Sequence, residues 1–439
     1  MSADHSITQA FVLCGGKGTR LGSLTRDCPK PMLPLAGRPL LDHTLEFLAS
    51  HGVREVILTA GYCADVIEEH YRSGHACGVN VRVHRESRPL GTSGALNELT
   101  HELHENFVVV YGDVFPDFDL SSLIRSHQSS GAAGTLLVRT SDHPWDSHLV
   151  EADEGGRITG FVTKREPGRL YRNVANAAMY VLNRTMLQHV PQDQTSDFVH
   201  DVFPAALRSG AHLQAHFMEC AGYVRDMGTP DRLASVELHL ARRERIRAAR
   251  MNPGKVRGVI LDRDGTINIE RGLLTRAEDF ELLPGAAEGI AKLCAAGLRC
   301  FIATNQPAIA RGFLTEEGLE AIHSRMNEQL SAVGARIEKI YFSPFHPETH
   351  HGEGVIELRR DSDCRKPRPG MILRAAEDHG LDLATLVMVG DSEADCLAAD
   401  AAGVRFVGVG SKWNAAAQKP SKCVPGLNEA ADHIVTHLT

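Results

Sequence analysis

The sequence predicts an α/β protein built from two successive domains. Three observations carry that prediction. Its 439 residues exceed what a single hydrophobic core ordinarily organises, so length alone suggests two or three domains. Short β-branched and apolar runs alternate with stretches of helical apolar spacing, and the alternation starts afresh past the midpoint. Several of those runs end in glycine followed by an acid, and open α/β sheets hold ligands at the carboxyl ends of their strands.

In chain order, residues 9–14 read as a first strand, followed directly by Gly15-Gly16-Lys17-Gly18-Thr19-Arg20-Leu21. A glycine-rich loop after a strand lets backbone N–H groups approach phosphate oxygens, and Lys17 and Arg20 add positive charge. The loop is neither a Walker A sequence nor a G-x-G-x-x-G dinucleotide fingerprint. Next comes Asp27-Cys28-Pro29-Lys30-Pro31-Met32-Leu33-Pro34, where two prolines stiffen the backbone around Lys30. Residues 53–60 read as a strand, 64–72 as a helix and 80–85 as a strand. Pro89-Leu90-Gly91-Thr92-Ser93-Gly94-Ala95-Leu96 is a second glycine-bearing turn opening a helix. Residues 107–111 form an apolar strand ending in Gly112-Asp113, and a second acid, Asp226, stands in Arg225-Asp226-Met227-Gly228-Thr229-Pro230. Two carboxylates and a triphosphate suit Mg²⁺, which takes oxygen ligands and bridges phosphates.

After Pro230 a helix runs through Leu233, Val236 and Leu240 into the charged run Arg242-Arg243-Glu244-Arg245, which reads as a solvated face. Met251-Asn252-Pro253-Gly254-Lys255 breaks it. These features predict domains at 1–240 and 257–439, with 241–256 as linker.

The second domain opens on Val259-Ile260-Leu261-Asp262-Arg263-Asp264-Gly265-Thr266, a buried parallel strand delivering two carboxylates one residue apart. Such a pair suits two-role chemistry, one carboxylate attacking phosphorus while the other handles protons. A helix over 286–295 follows, then a strand over 299–303 ending in Thr304-Asn305-Gln306. A helix over 316–333 and a strand over 339–342 come next. Cys364-Arg365-Lys366-Pro367 precedes another helix, and a strand over 386–389 ends in Gly390-Asp391. The roles are complementary: Thr304 donates to a phosphate, Lys366 neutralises it, and Asp391 joins Asp262 on Mg²⁺.

Composition excludes several classes. Hydrophobic content of 43% and charged content of 23% are those of an ordinary globular protein. No apolar run approaches the roughly 18 residues of a membrane span. The first residues, Met1-Ser2-Ala3-Asp4-His5-Ser6, lack the basic region and apolar core of a signal peptide. Ten cysteines without framework spacing read as reduced thiols, so a cytoplasmic location is expected. A formal net charge of −8 argues against nucleic-acid binding.

Residues from about 9 to 240 resemble the sugar-1-phosphate nucleotidyltransferases of the hexose- and heptose-1-phosphate group. The likeness rests on residues 15–21, 29–32 and 89–95, Gly112-Asp113, residues 161–164, Asn176-Ala177 and residues 226–230. The resemblance implies a Rossmann-like sheet in which Gly15, Gly16, Gly18, Thr19 and Arg20 hold the nucleotide phosphates and Gly91 lies under the nucleoside. It assigns Lys30 to the α-phosphate under attack, Lys164 to the sugar phosphate, Asn176 to a sugar hydroxyl, and Asp113 and Asp226 to Mg²⁺. Two departures lie on the sugar side: Thr163-Lys164 where the family often has Glu-Lys, and Asn176-Ala177-Ala178 where it often has Asn-Ala-Gly.

Residues 257–410 resemble the haloacid dehalogenase-like phosphatases, most closely the branch of D-glycero-D-manno-heptose 1,7-bisphosphate and histidinol phosphatases. The resemblance implies a capless Rossmannoid sheet with Asp262 as the nucleophile that becomes an aspartyl phosphate. Asp264 would protonate the leaving oxygen and then activate water, and it is placed with Asp262 and Asp391 at the metal. Asn305, Arg311 and Arg365 are assigned to the substrate. The family often binds Zn²⁺ through Cys-x-His and Cys-x-Cys; here the positions are Ser343, Phe345, Ser362 and Cys364, so structural zinc is not expected. The histidines His346, His350 and His351 read as solvated loop residues.

Together the halves imply a bifunctional enzyme of nucleotide-activated heptose synthesis, acting on sugar phosphates and a nucleoside triphosphate, with GTP expected. The His-x-Gly-His signature of the unrelated ADP-heptose transferases does not occur. Two alternatives stay open: transfer to mannose or glucose 1-phosphate with UTP or dTTP beside a histidinol-phosphatase-like domain, and a regulatory protein with one inactive domain. Whether the chain forms a homo-oligomer is also open.

Overall fold

In the first domain the apolar runs form Gln9–Leu13 (β1), Glu55–Ala60 (β2), Val79–Arg85 (β3) and Asn106–Tyr111 (β4). A computed structural model describes residues 7–16, 19–141, 147–165, 171–192, 194–219, 222–347, 354–411, 413 and 420–439. Strand β1 pairs in parallel with both β2 and β4, and β2 with β3, in the order β3-β2-β1-β4. Alternate side chains of these strands leave on opposite faces, as the pleat demands. Ala10, Val12 and Val108 enter one buried cluster with helices Leu40–Ser50 (α1), Ala64–His70 (α2) and Leu120–Ser130 (α3). Phe11, Phe107 and Val109 enter the other.

The sequence reading is silent on the next part. The strands are Val114–Asp117 (β5), Gly134–Arg139 (β6), Leu149–Ala152 (β7), Ile158–Val162 (β8), Ala175–Asn183 (β9), Leu213–Phe217 (β10) and Tyr223–Asp226 (β11). Strand β9 runs antiparallel to β4 and β6, making the sheet mixed. Helix Phe203–Arg208 (α4) covers it through Phe203 and Ala206. Strands β5 and β11 form a separate antiparallel ribbon. The helix expected after Gly94 is a single turn, Ala95–Glu98.

The chain divides into compact units after Leu240. Helix Pro230–Met251 (α5) passes through that point. In the second unit Ile246 and Ala249 of α5 pack with the core, and the arginine run, expected to be a solvated face, is paired there. Arg242 lies 3.4 Å from Asp363, Arg245 3.1 Å from Glu377 and Arg250 3.3 Å from Asp400. Half-exposed pairs of this kind contribute about 0–1 kcal/mol each, so the partly buried Ile246 and the buried Ala249 do most to hold this half of the helix.

The second domain's strands are Gly258–Leu261 (β12), Arg299–Asn305 (β13), Lys339–Ser343 (β14), Leu386–Gly390 (β15) and Arg405–Val409 (β16). All are parallel, in the order β14-β13-β12-β15-β16, with Cys423–Val424 at the edge. Helices Ala286–Ala295 (α6), Glu316–Ser331 (α7) and Leu427–His437 (α10) cover the face of Val259 and Leu261. Helices Gly370–Asp378 (α8) and Glu393–Ala402 (α9) cover the face of Ile260. In both domains the strand order reverses beside the first strand, between β1 and β4 and between β12 and β15. That reversal opens a crevice at the carboxyl ends of the strands.

Candidate functional site

At the first crevice the turns after β1 and β4 are tied by Gly112 N–H donating to the Leu13 carbonyl at 2.8 Å. A side chain at Gly112 would come within 2.9 Å of Cys14 Sγ, so the close approach requires glycine. The turns border a cavity of about 670 Å³ whose lining includes Gly15, Gly16, Lys30, Gly61, Glu86, Arg88, Gly91, Tyr111 and Asp113. Lys30 sits on the short turn Lys30–Met32 between its prolines and is 8% exposed. Its ammonium lies 2.6 Å from Asp113 Oδ2.

The β5–β11 ribbon brings in the second acid, with Met227 N–H donating to the Asp113 carbonyl at 2.8 Å. Asp226 Oδ1 lies 2.7 Å from Arg232 and accepts from Gly228 N–H at 3.0 Å. Burial works to raise the Asp226 carboxyl, but Arg232, Lys30 and the Gly228 N–H together hold it below its ordinary value. Asp226 is therefore an anion at neutral pH, and two carboxylates beside a glycine-lined cavity form a donor set that fits a hard divalent cation shared with a triphosphate.

In the second crevice three carboxylates converge. Oxygens of Asp262, Asp391 and Asp395 lie within 4.8 Å of one another, and all three residues are buried. The Lys366 ammonium is 2.7 Å from Asp262 Oδ1 and 2.6 Å from Asp395 Oδ1. Burial would strip the proton from Lys366, but the two anions outweigh it and raise its pKa. Burial and then Asp395 push the Asp262 carboxyl up to about 8 against the pull of Lys366. Three acids facing one ammonium leave uncompensated negative charge in a dry site, and a hard divalent cation is what such a donor set fits. Gly265 has φ 79°, and a Cβ there would fall 2.6 Å from Asp391 Cγ, so the turn closes against this acid only without a side chain.

Asp264, expected among the metal ligands, is engaged elsewhere. Its oxygens accept from Arg263 Nη2 at 2.9 and 2.8 Å, from Asn268 Nδ2 at 3.0 Å and from Gln306 Nε2 at 3.1 Å. Burial opposes ionisation, but these partners, Arg263 foremost, hold its pKa below the ordinary value. Asp395, a residue not expected at the site, is the acid that stands with Asp262 and Asp391. Thr304 is buried and takes a hydrogen bond from Gln306 at 2.9 Å. Asn305, expected on substrate, clasps the Lys366 backbone: Nδ2 donates to its carbonyl at 2.9 Å and Oδ1 accepts its N–H at 3.0 Å. A cavity of about 210 Å³ is lined by Asp262, Asp264, Glu270, Thr304, Asn305, Gln306, Lys366 and Asp391 among others.

The remaining expected residues lie outside these linings. Arg365 donates to the Phe345 carbonyl at 3.1 Å, and Arg311 lies 3.3 Å from His346 Nε2. Lys164 is exposed after β8. Asn176 sits at a register irregularity in β9, its Oδ1 accepting from Ala178 N–H at 3.1 Å and its Nδ2 donating to Tyr180 at 2.8 Å. Ala178 has φ 57°, left-handed backbone that favours glycine, which gives the Asn-Ala-Gly departure a physical reading. Thr19 and Arg20 begin the turn Thr19–Thr25; their side chains, together with Gly18, His350 and His351, lie outside the described residues. His346 is buried rather than solvated. At the positions where zinc is not expected, Cys364 Sγ is 3.0 Å from Ser362 Oγ and 3.4 Å from Ser343 Oγ, a hydrogen-bonded cluster.

Glu86 is a further residue the sequence reading missed. It closes β3 into the first cavity, its Oε2 accepting from Leu90 N–H at 3.4 Å, and burial raises its pKa. The sequence signal was available: it is a carboxylate three residues before the Pro89 turn.

A HAD-hydrolase-like family model matches residues 363–439, and a nucleotidyl transferase model matches residues 9–243. Mannose-1-phosphate guanylyltransferase of Mycobacterium tuberculosis is 38% identical over 231 residues, covering 52% of this chain and 63% of that protein. The chain thus spans less than two thirds of that relative's length. The mannose-1-phosphate guanylyltransferase catalytic subunit beta of Drosophila pseudoobscura pseudoobscura is 33% identical over 267 residues, 59% of this chain and 70% of that protein. A solved D,D-heptose 1,7-bisphosphate phosphatase from B. bronchiseptica, complexed with magnesium and phosphate, is 31% identical with a TM-score of 0.37, over 41% of this chain and 98% of that one. Since the nucleotidyl transferase match spans more than half of the sequence, the chain belongs to the nucleotidyl transferase family.

Proposed function

We propose that the chain performs two consecutive steps: removal of the C7 phosphate from a heptose 1,7-bisphosphate, then transfer of GMP from GTP to the heptose 1-phosphate, releasing pyrophosphate. The observation that carries the reading is the presence of two separate phosphate-handling sites on one chain, one around Asp262 and Lys366, the other around Lys30 and Asp113. A phosphatase fused to a transferase makes chemical sense when the first product is the second substrate.

In the phosphatase step, Asp262 attacks phosphorus, the bond to the sugar oxygen breaks, and that oxygen takes a proton from Asp264, whose carboxyl, held low by Arg263 in the free site, is pushed up by the negative charge of the bound phosphate. Water then attacks the phosphoryl group, gives its proton to Asp264, and frees Asp262. Thr304 and Lys366 hold the phosphate oxygens. In the transferase step the sugar phosphate attacks the α-phosphate in line, with Lys30 neutralising charge and the Gly15-Gly16 backbone approaching the phosphates. Mg²⁺ held by Asp113 and Asp226, and by Asp262, Asp391 and Asp395, would supply positive charge opposite the phosphate oxygens at each site.

Glu86 supports the choice of GTP. Guanine offers adjacent N1–H and N2–H donors that two carboxylate oxygens accept together, whereas uracil and thymine flank one N–H with carbonyl acceptors that a carboxylate repels. Mannose 1-phosphate is the second reading, supported by the likeness to the two mannose-1-phosphate guanylyltransferases; it leaves the phosphatase half unexplained.

The test follows phosphorus signals by NMR with heptose 1,7-bisphosphate, GTP and Mg²⁺. Phosphate from C7 should appear first, then pyrophosphate and GDP-heptose. Asp262→Asn should abolish phosphate release yet still make pyrophosphate from supplied heptose 1-phosphate. Loss of the anomeric phosphate, or far faster turnover of mannose 1-phosphate, would overturn the heptose assignment.

A further inference from the structure

Arg263 lies between the two acids of the phosphatase motif and has the largest fully buried side chain among the described residues. Its backbone anchors the turn: the N–H groups of Thr266, Ile267 and Asn268 all donate to its carbonyl, at 3.3, 2.8 and 3.1 Å. Its guanidinium closes on the Asp264 carboxylate, with Nη2 reaching both oxygens and Nε 3.3 Å from Oδ1. The opposite nitrogen, Nη1, lies 3.3 Å from Nε2 of His323 on α7. A guanidinium only donates, so His323 Nε2 is the acceptor and its ring carries the proton on Nδ1. A buried arginine with one nitrogen unpaired would be costly, and His323 satisfies that nitrogen from behind while the fork faces Asp264.

Resting on the phosphatase reading above, we propose that Arg263, seated by His323, is a positioning residue that aims the Asp264 carboxyl at the leaving sugar oxygen. Neither residue lines the cavity. Planar contact with a fork fixes the carboxylate's rotation as a single point charge does not. The proton delivered by Asp264 matters only when the departing oxygen is a poor leaving group. An alkoxide from a primary sugar phosphate needs it; p-nitrophenolate does not.

That difference separates positioning from general support of the fold. His323→Leu removes the acceptor behind Arg263 without touching the acids, and His323→Gln replaces it. With a primary sugar phosphate, kcat/KM for His323→Leu, which reports the first phosphoryl transfer and not the water step that both substrates share, should fall about tenfold or more, within the range general acids supply. With p-nitrophenyl phosphate the fall should stay under about threefold, and His323→Gln should recover most of the loss. Should His323→Leu fail to fold, Arg263→Lys, which keeps the charge and loses the fork, gives the same comparison. Equal losses on both substrates, or no loss on either, overturn the proposal while leaving the phosphatase reading intact. Absence of phosphate release by the unaltered protein would instead remove that reading itself.

Discussion

Replacing Gly91 with alanine should damage the transferase and leave the phosphatase unharmed. Gly91 lines the first cavity at φ 79° and forms a bridge with Ser196. A Cβ there would lie 3.1 Å from both the Ser196 carbonyl carbon and Thr195 Cγ2, and closer still to the Ser196 oxygen. The obstacle is backbone, so no rotamer change relieves it. The left-handed conformation alone costs about 1–2 kcal/mol with a side chain. Relieving the clash means opening the bridge, which Ser196 N–H to Leu90 at 3.0 Å and Ser93 N–H to Ser196 at 3.2 Å hold closed. Those bonds contribute about 1 kcal/mol each, so the total is about 3–4 kcal/mol. Taken from the fold, that lowers the first domain's calorimetric transition by roughly 6–15 °C. Taken locally, it loosens the turn expected under the nucleoside and raises the KM for the nucleoside triphosphate by roughly 100- to 700-fold. Calorimetry and pyrophosphate release against nucleotide concentration read both routes, with phosphate release from a sugar bisphosphate as the control. A KM within about threefold of the parent together with a transition within about 2 °C would refute the reasoning.

Three shorter predictions follow from the same geometry. In the proposed mechanism Asp262 attacks as the anion, and burial with Asp395 raises its carboxyl to about 8, so phosphatase kcat/KM should rise with pH and level off above that value at limiting Mg²⁺. More Mg²⁺, or Asp395→Asn, should move this limb to lower pH, since each makes the anion easier to form; a flat profile, or an upward move, refutes it. Elemental analysis should find less than about one zinc per chain, because one thiolate among serines cannot complete a tetrahedral site; stoichiometric zinc lost on mutating Cys364 would contradict this. Ala178→Gly should leave the melting temperature unchanged or raised by up to about 1 kcal/mol in stability, relief of left-handed strain outweighing added unfolded-state entropy. Buried Ala177→Gly should lower it, and a lower melting temperature for Ala178→Gly is the adverse result.

Legibility in the sequence tracked how local each feature is. Strands β1, β2, β4, β12, β13 and β15 are short apolar runs buried on both faces, and their turns carry the chemistry directly after them, so both crevices could be read. Strands β6 to β11 could not, because their pairing partners are distant in the chain and nothing in Gly134–Arg139 announces Leu213–Phe217 as its neighbour. Arg243, Glu244 and Arg245 are the exposed face expected of the arginine run, but the acids that meet it, Asp363 and Glu377, could not be read because they come from remote parts of the chain. Asp264 and Asn305 have the residue types expected of ligands, yet Arg263 and the Lys366 backbone hold them. Only the folded chain reveals which donor reaches them first.

Asp395 has consequences for how this sequence can drift. Its Oδ2 accepts from Ser392 N–H at 3.1 Å and Ser392 Oγ at 2.6 Å, closing the first turn of α9, while Oδ1 holds Lys366. Helix initiation and the seating of Lys366 therefore depend on one side chain, and selection acting on either acts on both. Asparagine could cap the helix but would leave Lys366 short of an anion; glutamate would reach too far for the cap. Gly390 shares the constraint, since a Cβ there would fall 2.5 Å from that of Asp395. Any descendant that abandons one of these positions must rebuild the other in the same step, so the two should be inherited as a unit even where the surrounding sequence diverges.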